Sequence, residues 1–195
     1  KPVTEPMKHE SCVWSATFSP DGKFVVTASS DGARIWDAQT GNPVTEPMRH
    51  EIGVSSAVFS PDGKFVVTAS YDRTARIWDA KTGNPVTEPI RHEDWVMSAV
   101  FSPDGKFVVT ASRDRTARVW DAKRGKPVTE PMRHEIGVSS AVFNPDGKFV
   151  VTASFDRTAR IWPFSPLQEL IDKYRKDPEH DWSLTPEEKE EYSLE

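Results

Sequence analysis

The stretch PVTEPMRHEIGVSSAVFSPDGKFVVTASYDRTARIW, residues 43–78, decides the fold because the chain repeats it. Residues 127–162 match it at all but two of its 36 positions. The opening pentapeptide PVTEP starts four units, at Pro2, Pro43, Pro85 and Pro127, with spacings of 41, 42 and 42 residues. A fixed period of this length is the signature of a repeat architecture, and the near-identity of the copies indicates recent duplication of one unit.

Each unit predicts four short strands. In the second unit, a run of β-branched and small residues over 54–59 ends at Pro61 and Gly63, which favour a tight turn. Two further runs follow, over 64–70 and 74–78, and the PVTEP segment is a fourth extended piece. Because proline cannot donate a ladder hydrogen bond, we expect PVTEP at a sheet edge. Strands at intervals of about ten residues, with no helix between them, predict an all-β array.

A unit with a periodic His, then Ser/Asn-Pro-Asp-Gly, Thr-Ala-Ser-x-Asp and Ile/Val-Trp resembles the WD-repeat β-propeller family. The resemblance covers residues 1–162 in units that start at 2, 43, 85 and 127. It implies four-stranded antiparallel blades, four in this chain, which are part of a larger or dimer-closed ring. It also suggests the C-terminal part of a bacterial multi-blade signalling protein. The sequence departs from the family pattern where Arg-His or Lys-His replaces Gly-His and where Pro163 follows the last repeat tryptophan.

Every unit places a His, a Thr, an Asp and a Trp at nearly constant offsets. The four sets are His9, Thr27, Asp31 and Trp36; His50, Thr68, Asp72 and Trp78; His92, Thr110, Asp114 and Trp120; and His134, Thr152, Asp156 and Trp162. A hydroxyl, an imidazole and a carboxylate also make up a hydrolase triad, so an enzyme is one hypothesis. Recurrence in every unit beside an indole favours mutual satisfaction of buried polar groups, and the resemblance implies a structural tetrad. This recurrence predicts that the chain is not an enzyme. One histidine per blade cannot converge on a metal ion, so we also predict no metal and no cofactor.

The copies differ most at three positions after each His and at the residue before each tetrad Asp. In a propeller these positions fall on the loops before the first strand and between the second and third, and the resemblance puts both on one rim. The predicted partner-binding residues are Cys12, Trp14, Ile52, Tyr71, Asp94, Trp95, Met97, Arg113, Ile136 and Phe155. Aromatic, Met and Arg side chains are typical of interface hot spots, whereas drift would supply polar residues as readily. We therefore predict a protein-binding scaffold or sensor, and a glycan-binding propeller is an alternative.

Four units leave the closure of the ring open, and exposed blade edges are a liability. Residues 2–7 have the sequence of an outer strand and could complete the last blade of the same chain, of a second copy or of a missing segment. Two copies would form an eight-bladed homodimer with two-fold symmetry. A structural propeller that assembles itself through blade edges is therefore a second functional alternative.

Residues 163–195 are predicted to form an acidic tail with a short amphipathic helix. The chain carries a formal charge of -5, of which the tail holds -6 and residues 1–162 hold +1. A nearly neutral repeat region without a basic stripe argues against nucleic acid as a partner. No apolar run reaches the roughly 20 residues of a membrane helix, so we expect no membrane partner. The chain starts at Lys1 without a signal-like leader, which we interpret as a processed or excerpted cytoplasmic protein.

Overall fold

The computed structural model describes residues 2–165, which form four antiparallel sheets, or blades. Blade 1 contains β1 (Val13–Phe18), β2 (Phe24–Ser29) and β3 (Gly32–Asp37). Blade 2 contains β4 (Val54–Phe59), β5 (Phe65–Ser70), β6 (Thr74–Asp79) and β7 (Ile90–Arg91). Blade 3 contains β8 (Val96–Phe101), β9 (Phe107–Ser112), β10 (Thr116–Asp121) and β11 (Met132–Arg133). Blade 4 contains β12 (Val138–Phe143), β13 (Phe149–Ser154) and β14 (Ala159–Pro163). The predicted all-β propeller architecture is confirmed.

The first turn of each blade is built by the Ser/Asn-Pro-Asp-Gly sequence. In blade 2, Gly63 adopts a positive φ of 72°, and its amide donates to the carbonyl of Ser60 at 2.9 Å. The Asp62 carboxylate accepts hydrogen bonds from the Ser60 hydroxyl at 2.6 Å and the Lys64 amide at 3.0 Å. These local bonds satisfy the turn's polar groups and set the register of β4 against β5.

The PVTEP segment at the start of each later unit forms the outer edge of the preceding blade. In blade 1, Met48 and Ala33 exchange two backbone hydrogen bonds, and the Val44 amide donates to the Ile35 carbonyl at 2.8 Å. Ile90 in β7 and Met132 in β11 occupy the equivalent position in blades 2 and 3. The two prolines of PVTEP are tolerated here because an edge strand has no neighbouring strand on its outer side to which it must donate hydrogen bonds.

Successive blades pack face to face through small and β-branched residues. At the junction of blades 2 and 3, the buried set is Val67, Ala69, Ala75, Ile77 and Ile90 from blade 2 with Val96, Ala99, Val108 and Trp120 from blade 3. Equivalent positions fill the junctions of blades 1 and 2 and of blades 3 and 4. The core therefore lies between the sheets, and each blade contributes one face to each of its neighbours.

The two end blades each leave one such face uncovered. Val13 in blade 1 is 46% exposed, although its counterparts Val54 and Val96 are fully buried. Ile161 in blade 4 is 72% exposed, whereas its counterpart Ile77 is 1% exposed. The four blades therefore form an open series, with a free entry face on blade 1 and a free exit face on blade 4.

Blade 4 extends slightly beyond the expected boundary at residue 162. Pro163 is the last residue of β14, and Phe164 is buried against Phe107 and Phe143 with ring centroids 5.1 and 5.2 Å apart. The predicted tail helix falls within residues 166–195, which lie outside the described residues. No helix among residues 2–165 is long and apolar enough to cross a bilayer.

Candidate functional site

The structure brings the four residues of each predicted tetrad together. In blade 2, the indole N–H of Trp78 donates to Thr68 Oγ1 at 2.8 Å. The same oxygen lies 2.7 Å from His50 Nε2, and His50 Nδ1 lies 2.9 Å from Asp72 Oδ2. The chain of contacts joins β5, β6, the turn between them and the segment that leads into β4.

Donor and acceptor counting gives this chain a direction. An indole N–H only donates and an ionised carboxylate only accepts. An imidazole with its proton on Nδ1 therefore donates to Asp72, and its Nε2 accepts the hydroxyl proton of Thr68. Every group is then paired inside the blade, which is the condition for burying them.

The tetrad carboxylate also organises the residues around it. Asp72 accepts hydrogen bonds from the Glu51 amide at 3.1 Å, and from the amide and hydroxyl of Thr74 at 2.9 and 2.6 Å. Sequence reasoning missed Thr74, although its position two residues after each Asp in units two to four was a visible signal. Unit one lacks this threonine, and Arg34 donates to Asp31 there at 3.1 Å.

The other three tetrads repeat this geometry. Their His Nε2 to Thr Oγ1 distances are 2.6, 2.7 and 2.7 Å, and their Trp Nε1 to Thr Oγ1 distances are 2.7, 2.8 and 2.9 Å. All four histidine side chains are at most 1% exposed. A substrate has no access to an imidazole this buried. The geometry therefore fits a structural hydrogen-bond network within the blade better than a catalytic triad. Among residues 2–165, no group of His, Cys, Asp or Glu side chains is placed to hold a metal ion.

Hydrogen bonding lowers the pKa of each tetrad aspartate. Burial by itself would raise the pKa of Asp31, but hydrogen bonds from Ser29, His9 and the Glu10 amide outweigh it and hold the pKa at about 2. The same competition, with His50 and Thr74 as donors, holds the pKa of Asp72 well below its ordinary value. The ionised carboxylate is therefore the form that the fold stabilises.

The predicted rim residues include a continuous series of contacts that crosses all four blades. The rings of Trp14 and Tyr71 meet edge to face with centroids 5.3 Å apart, and Tyr71 and Trp95 lie 5.0 Å apart. The Arg113 guanidinium lies 4.8 Å from the Trp95 ring centre and 5.6 Å from that of Phe155. We call Trp14, Tyr71, Trp95, Arg113 and Phe155 the rim series.

The remaining predicted rim residues flank this series. Cys12, Ile52 and Ile136 are exposed, and Met97 is half-buried. Asp94 has a local role, because its carboxylate accepts the Trp95 amide at 2.7 Å and so fixes the loop that carries this indole.

Two features of the rim differ from the sequence expectation. Trp14 and Met97 lie inside β1 and β8, where they are the extra residues of β-bulges, and not in the preceding loops. A bulge re-aims a side chain from the sheet toward an edge, which explains how a strand residue joins the rim. Gly53 is also required, because a Cβ there would lie 2.9 Å from the Trp14 ring.

Comparison with known proteins agrees with this geometry. The family described as "WD domain, G-beta repeat" matches residues 1–37, 41–79, 83–121 and 125–163. The chain belongs to the WD40 family. Propellers of this family generally mediate protein interactions or scaffolding, and they are typically not enzymes.

Two solved structures similar to this WD40 chain are those of computationally designed proteins. The computationally designed Ika4 protein has a TM-score of 0.73 and 25% identity, over 84% of this chain and 98% of Ika4. The computationally designed Ika8 protein has a TM-score of 0.71 and 25% identity, over 83% of this chain and 49% of Ika8. This chain thus spans nearly all of one designed protein and about half of the other.

Replacement of a tetrad indole tests this hydrogen-bond network. Trp78→Ala should lower the free energy of unfolding by about 3–5 kcal/mol, because it removes a buried large side chain and leaves Thr68 without its indole donor. Urea unfolding followed by circular dichroism measures this change. Trp95→Ala, at a tryptophan that is 40% exposed, is the matched control and should cost about 1 kcal/mol. Equal losses in the two variants would contradict the structural assignment.

The lowered aspartate pKa values predict a loss of stability in acid. A carboxyl whose pKa is lower in the folded chain contributes stability above its unfolded pKa of 3.8 and loses that contribution as the pH falls. Unfolding free energy should therefore decrease from about pH 4 downward, with Asp31 losing its contribution near pH 2. Thermal unfolding between pH 5 and pH 2 measures it. Asp72→Asn, which cannot titrate, should be less stable at pH 5 and show a shallower slope. An unchanged slope would exclude Asp72 as a source of the effect.

Proposed function

We propose that this WD40 chain is a non-enzymatic scaffold that binds a protein partner on the rim series. The main support for this proposal is the continuous series of contacts from Trp14 through Tyr71, Trp95 and Arg113 to Phe155. Each of these residues occupies a position at which the otherwise near-identical units differ. The strands and tetrads are thus repeated in every unit, whereas the rim residues differ from unit to unit. This is expected of a rigid scaffold that carries a specific binding surface.

The physical state of the rim supports this assignment. Trp14, Trp95 and Phe155 are 45%, 40% and 48% exposed, so a large apolar part of each ring faces solvent. The same rings are held by their neighbours across the blades, which restricts their rotamers before a partner arrives. Rigid aromatic anchors lose little conformational entropy on binding, and together with Arg they are the residues that dominate interface energies.

The chemistry of the tetrads supports a role without catalysis. The hydroxyl, imidazole and carboxylate that could form a triad are buried, and each is paired within its blade. The exposed thiol of Cys12 lies in a rim loop, and the ring nitrogens of the four described histidines bond to the tetrad Asp and Thr. Binding at the rim therefore accounts for the exposed residues better than a reaction does.

Trp95→Ala should weaken partner binding while the chain stays folded. Loss of a central aromatic anchor typically costs at least 2 kcal/mol, which corresponds to about 30-fold weaker affinity. Immobilised wild-type and variant chains should be compared by affinity capture from the source cells, with quantitative mass spectrometry of the retained proteins. A protein retained by wild type and depleted by Trp95→Ala identifies the partner for direct titration.

Val86→Ala is the matched control for this experiment. Val86 is also an exposed apolar residue, at 44%, but it lies in the outer segment of blade 2 and is not part of the rim series. The control should retain the partner at the wild-type level. Equal capture by all three chains would refute the rim assignment.

A second candidate function is assembly of the propeller from copies of the chain, and the two uncovered end faces favour it. The exit face of blade 4 carries Val151, Ala153, Ala159 and Ile161, the counterparts of the blade 2 residues that pack on blade 3. The entry face of blade 1 exposes Val13 and Ala16, the counterparts of Val96 and Ala99 in blade 3, while Trp36 on the same face is buried. A blade 4 face therefore complements a blade 1 face.

For a ring built only from copies of residues 1–195, the number of copies follows from the four described blades. Rings made of whole chains contain four, eight or twelve blades, and propellers contain four to eight. Four is excluded by the exposure of Val13 and Ile161, and twelve exceeds the range. We therefore propose a homodimer that closes an eight-bladed ring.

Light scattering distinguishes the possible assemblies directly. The ring predicts a mass of about 44 kDa, twice the 21.9 kDa of one chain. Ile161→Asp should reduce it to one chain, because a carboxylate on the exit face cannot be buried unpaired. Val86→Asp places the same charge outside the end faces and should leave the dimer intact. A monomeric wild-type chain, or an open-ended polymer, would refute the ring.

A further inference from the structure

The rim alternates with a period of two blades. At the bulge position, blades 1 and 3 carry the bulky Trp14 and Met97, whereas blades 2 and 4 carry serine. Two residues before the bulge, blades 2 and 4 carry glycine, whereas blades 1 and 3 carry Cys12 and Trp95. Apart from the shorter turn after Asp31 in blade 1, the framework is nearly the same in the four blades, so the alternation belongs to the rim.

This alternation creates two kinds of junction. From blade 1 to blade 2, and from blade 3 to blade 4, the glycine of the later blade lies under the side chain or backbone of the earlier one: a Cβ at Gly53 would meet Trp14, and one at Gly137 would meet Arg113 at 3.0 Å. From blade 2 to blade 3, an aromatic residue of the earlier blade packs on a bulky residue of the later one, as Tyr71 does on Trp95.

At the junction of blades 2 and 3 the bulge serine itself makes a hydrogen bond between blades, whereas at the junction of blades 1 and 2 the bond comes from Thr17 to the Ala57 carbonyl. The Ser55 hydroxyl lies 2.8 Å from the backbone carbonyl of Val96 in blade 3, and 3.1 Å from that of Ala69 in its own blade. The bulge serine thus links the backbone of one blade to that of the next.

Blade 4 carries the same exit features as blade 2. Phe155 replaces Tyr71, and Ser139 replaces Ser55, with its hydroxyl 3.0 Å from Ala153 of its own blade. The counterpart of the Val96 carbonyl is that of Val13 in blade 1. The exit side of blade 4 therefore matches a following blade that has the rim residues of blade 1 or blade 3, in place of the serine and glycine of blades 2 and 4.

The N-terminal segment already occupies the matching place beside blade 1. A Cβ on Gly41 would lie 3.0 Å from the Glu5 carbonyl and 3.2 Å from Thr4. Gly83 makes the same approach to Thr45 in the outer segment of blade 1. Residues 2–6 thus lie where the outer segment of a blade preceding blade 1 would lie.

We propose that blade 4 of one chain joins blade 1 of a second copy through a junction built like that of blades 2 and 3, so that the rim series continues into the partner subunit. Phe155 then packs beside Cys12 of the partner subunit, as Tyr71 packs on Trp95 within one chain. Trp14 of the partner subunit is the first residue of that subunit's rim series. Residues 2–7 of the partner subunit pair with β14. The inference rests on the proposed eight-bladed ring and makes the protein-binding rim incomplete in a single chain.

Chemical cross-linking tests this junction, because Cys12 is the only cysteine of the chain. Phe155→Cys should be treated with a short bis-maleimide and analysed by denaturing electrophoresis and mass spectrometry. The proposed junction places each new thiol beside Cys12 of the partner subunit, so most of the protein should become a covalent dimer and stop there. Cys12→Ser in the same variant should abolish the product.

Tyr71→Cys is the matched control, since the equivalent position in blade 2 faces Trp95 of its own chain. It should give no covalent dimer. A ladder of trimers and larger species from Phe155→Cys would show open head-to-tail growth and overturn the closed junction.

Light scattering of the same sample separates the two proposals. If the protein has a dimeric mass but no cross-link forms, the chain does self-associate, and the proposed junction between blade 4 and blade 1 is wrong. A monomeric mass would overturn both.

Discussion

The packing of one blade's apolar face on the next is the contact on which the rest of this structure depends. Alanines and valines at positions such as Ala69 and Val96 let two twisted sheets approach closely, and Trp120 fills the remaining space. No single blade could bury its own face, so stability comes from the series. Because the copies are nearly identical, the same contact that joins the blades leaves complementary free faces at Val13 and Ile161.

The polar tetrads solve a problem that this packing creates. A thin sheet with apolar faces has few places for polar side chains, yet each blade must fix a segment that arrives from the preceding one. The Trp78–Thr68–His50–Asp72 chain pairs all its polar groups and binds the Glu51 amide, so it secures that segment without leaving an unpaired buried group. The rim side chains lie on loops and bulges next to the tetrads. The tetrads fix these loops, so the rim side chains are well positioned although they are exposed.

The sequence was sufficient to predict what depends on local pattern and on the period. The strands, the Pro-Asp-Gly turns and the edge placement of PVTEP follow from residue type, and the composition of each tetrad follows from fixed offsets. The bulge at Trp14, the role of Thr74 and the need for Gly53 were not predicted, since each depends on which atoms a neighbouring strand or blade brings close. The contact of Tyr71 with Trp95 joins two units, and no property of either residue alone indicates it.

If the free faces of blades 1 and 4 cover each other in a second copy, the amides at the blade edges should be protected from hydrogen exchange in the dimer. In blade 1 the Ala33 amide donates to Met48 and the Val44 amide to Ile35; their counterparts across the new junction are the amides of Ala159 and Val3. The amides of Ala159 and Val3 should exchange slowly when the protein is concentrated and lose protection on dilution, while the amide of Ala75 in blade 2 stays protected throughout. Fast exchange at Ala159 and Val3 at every concentration would contradict this covering of the two faces.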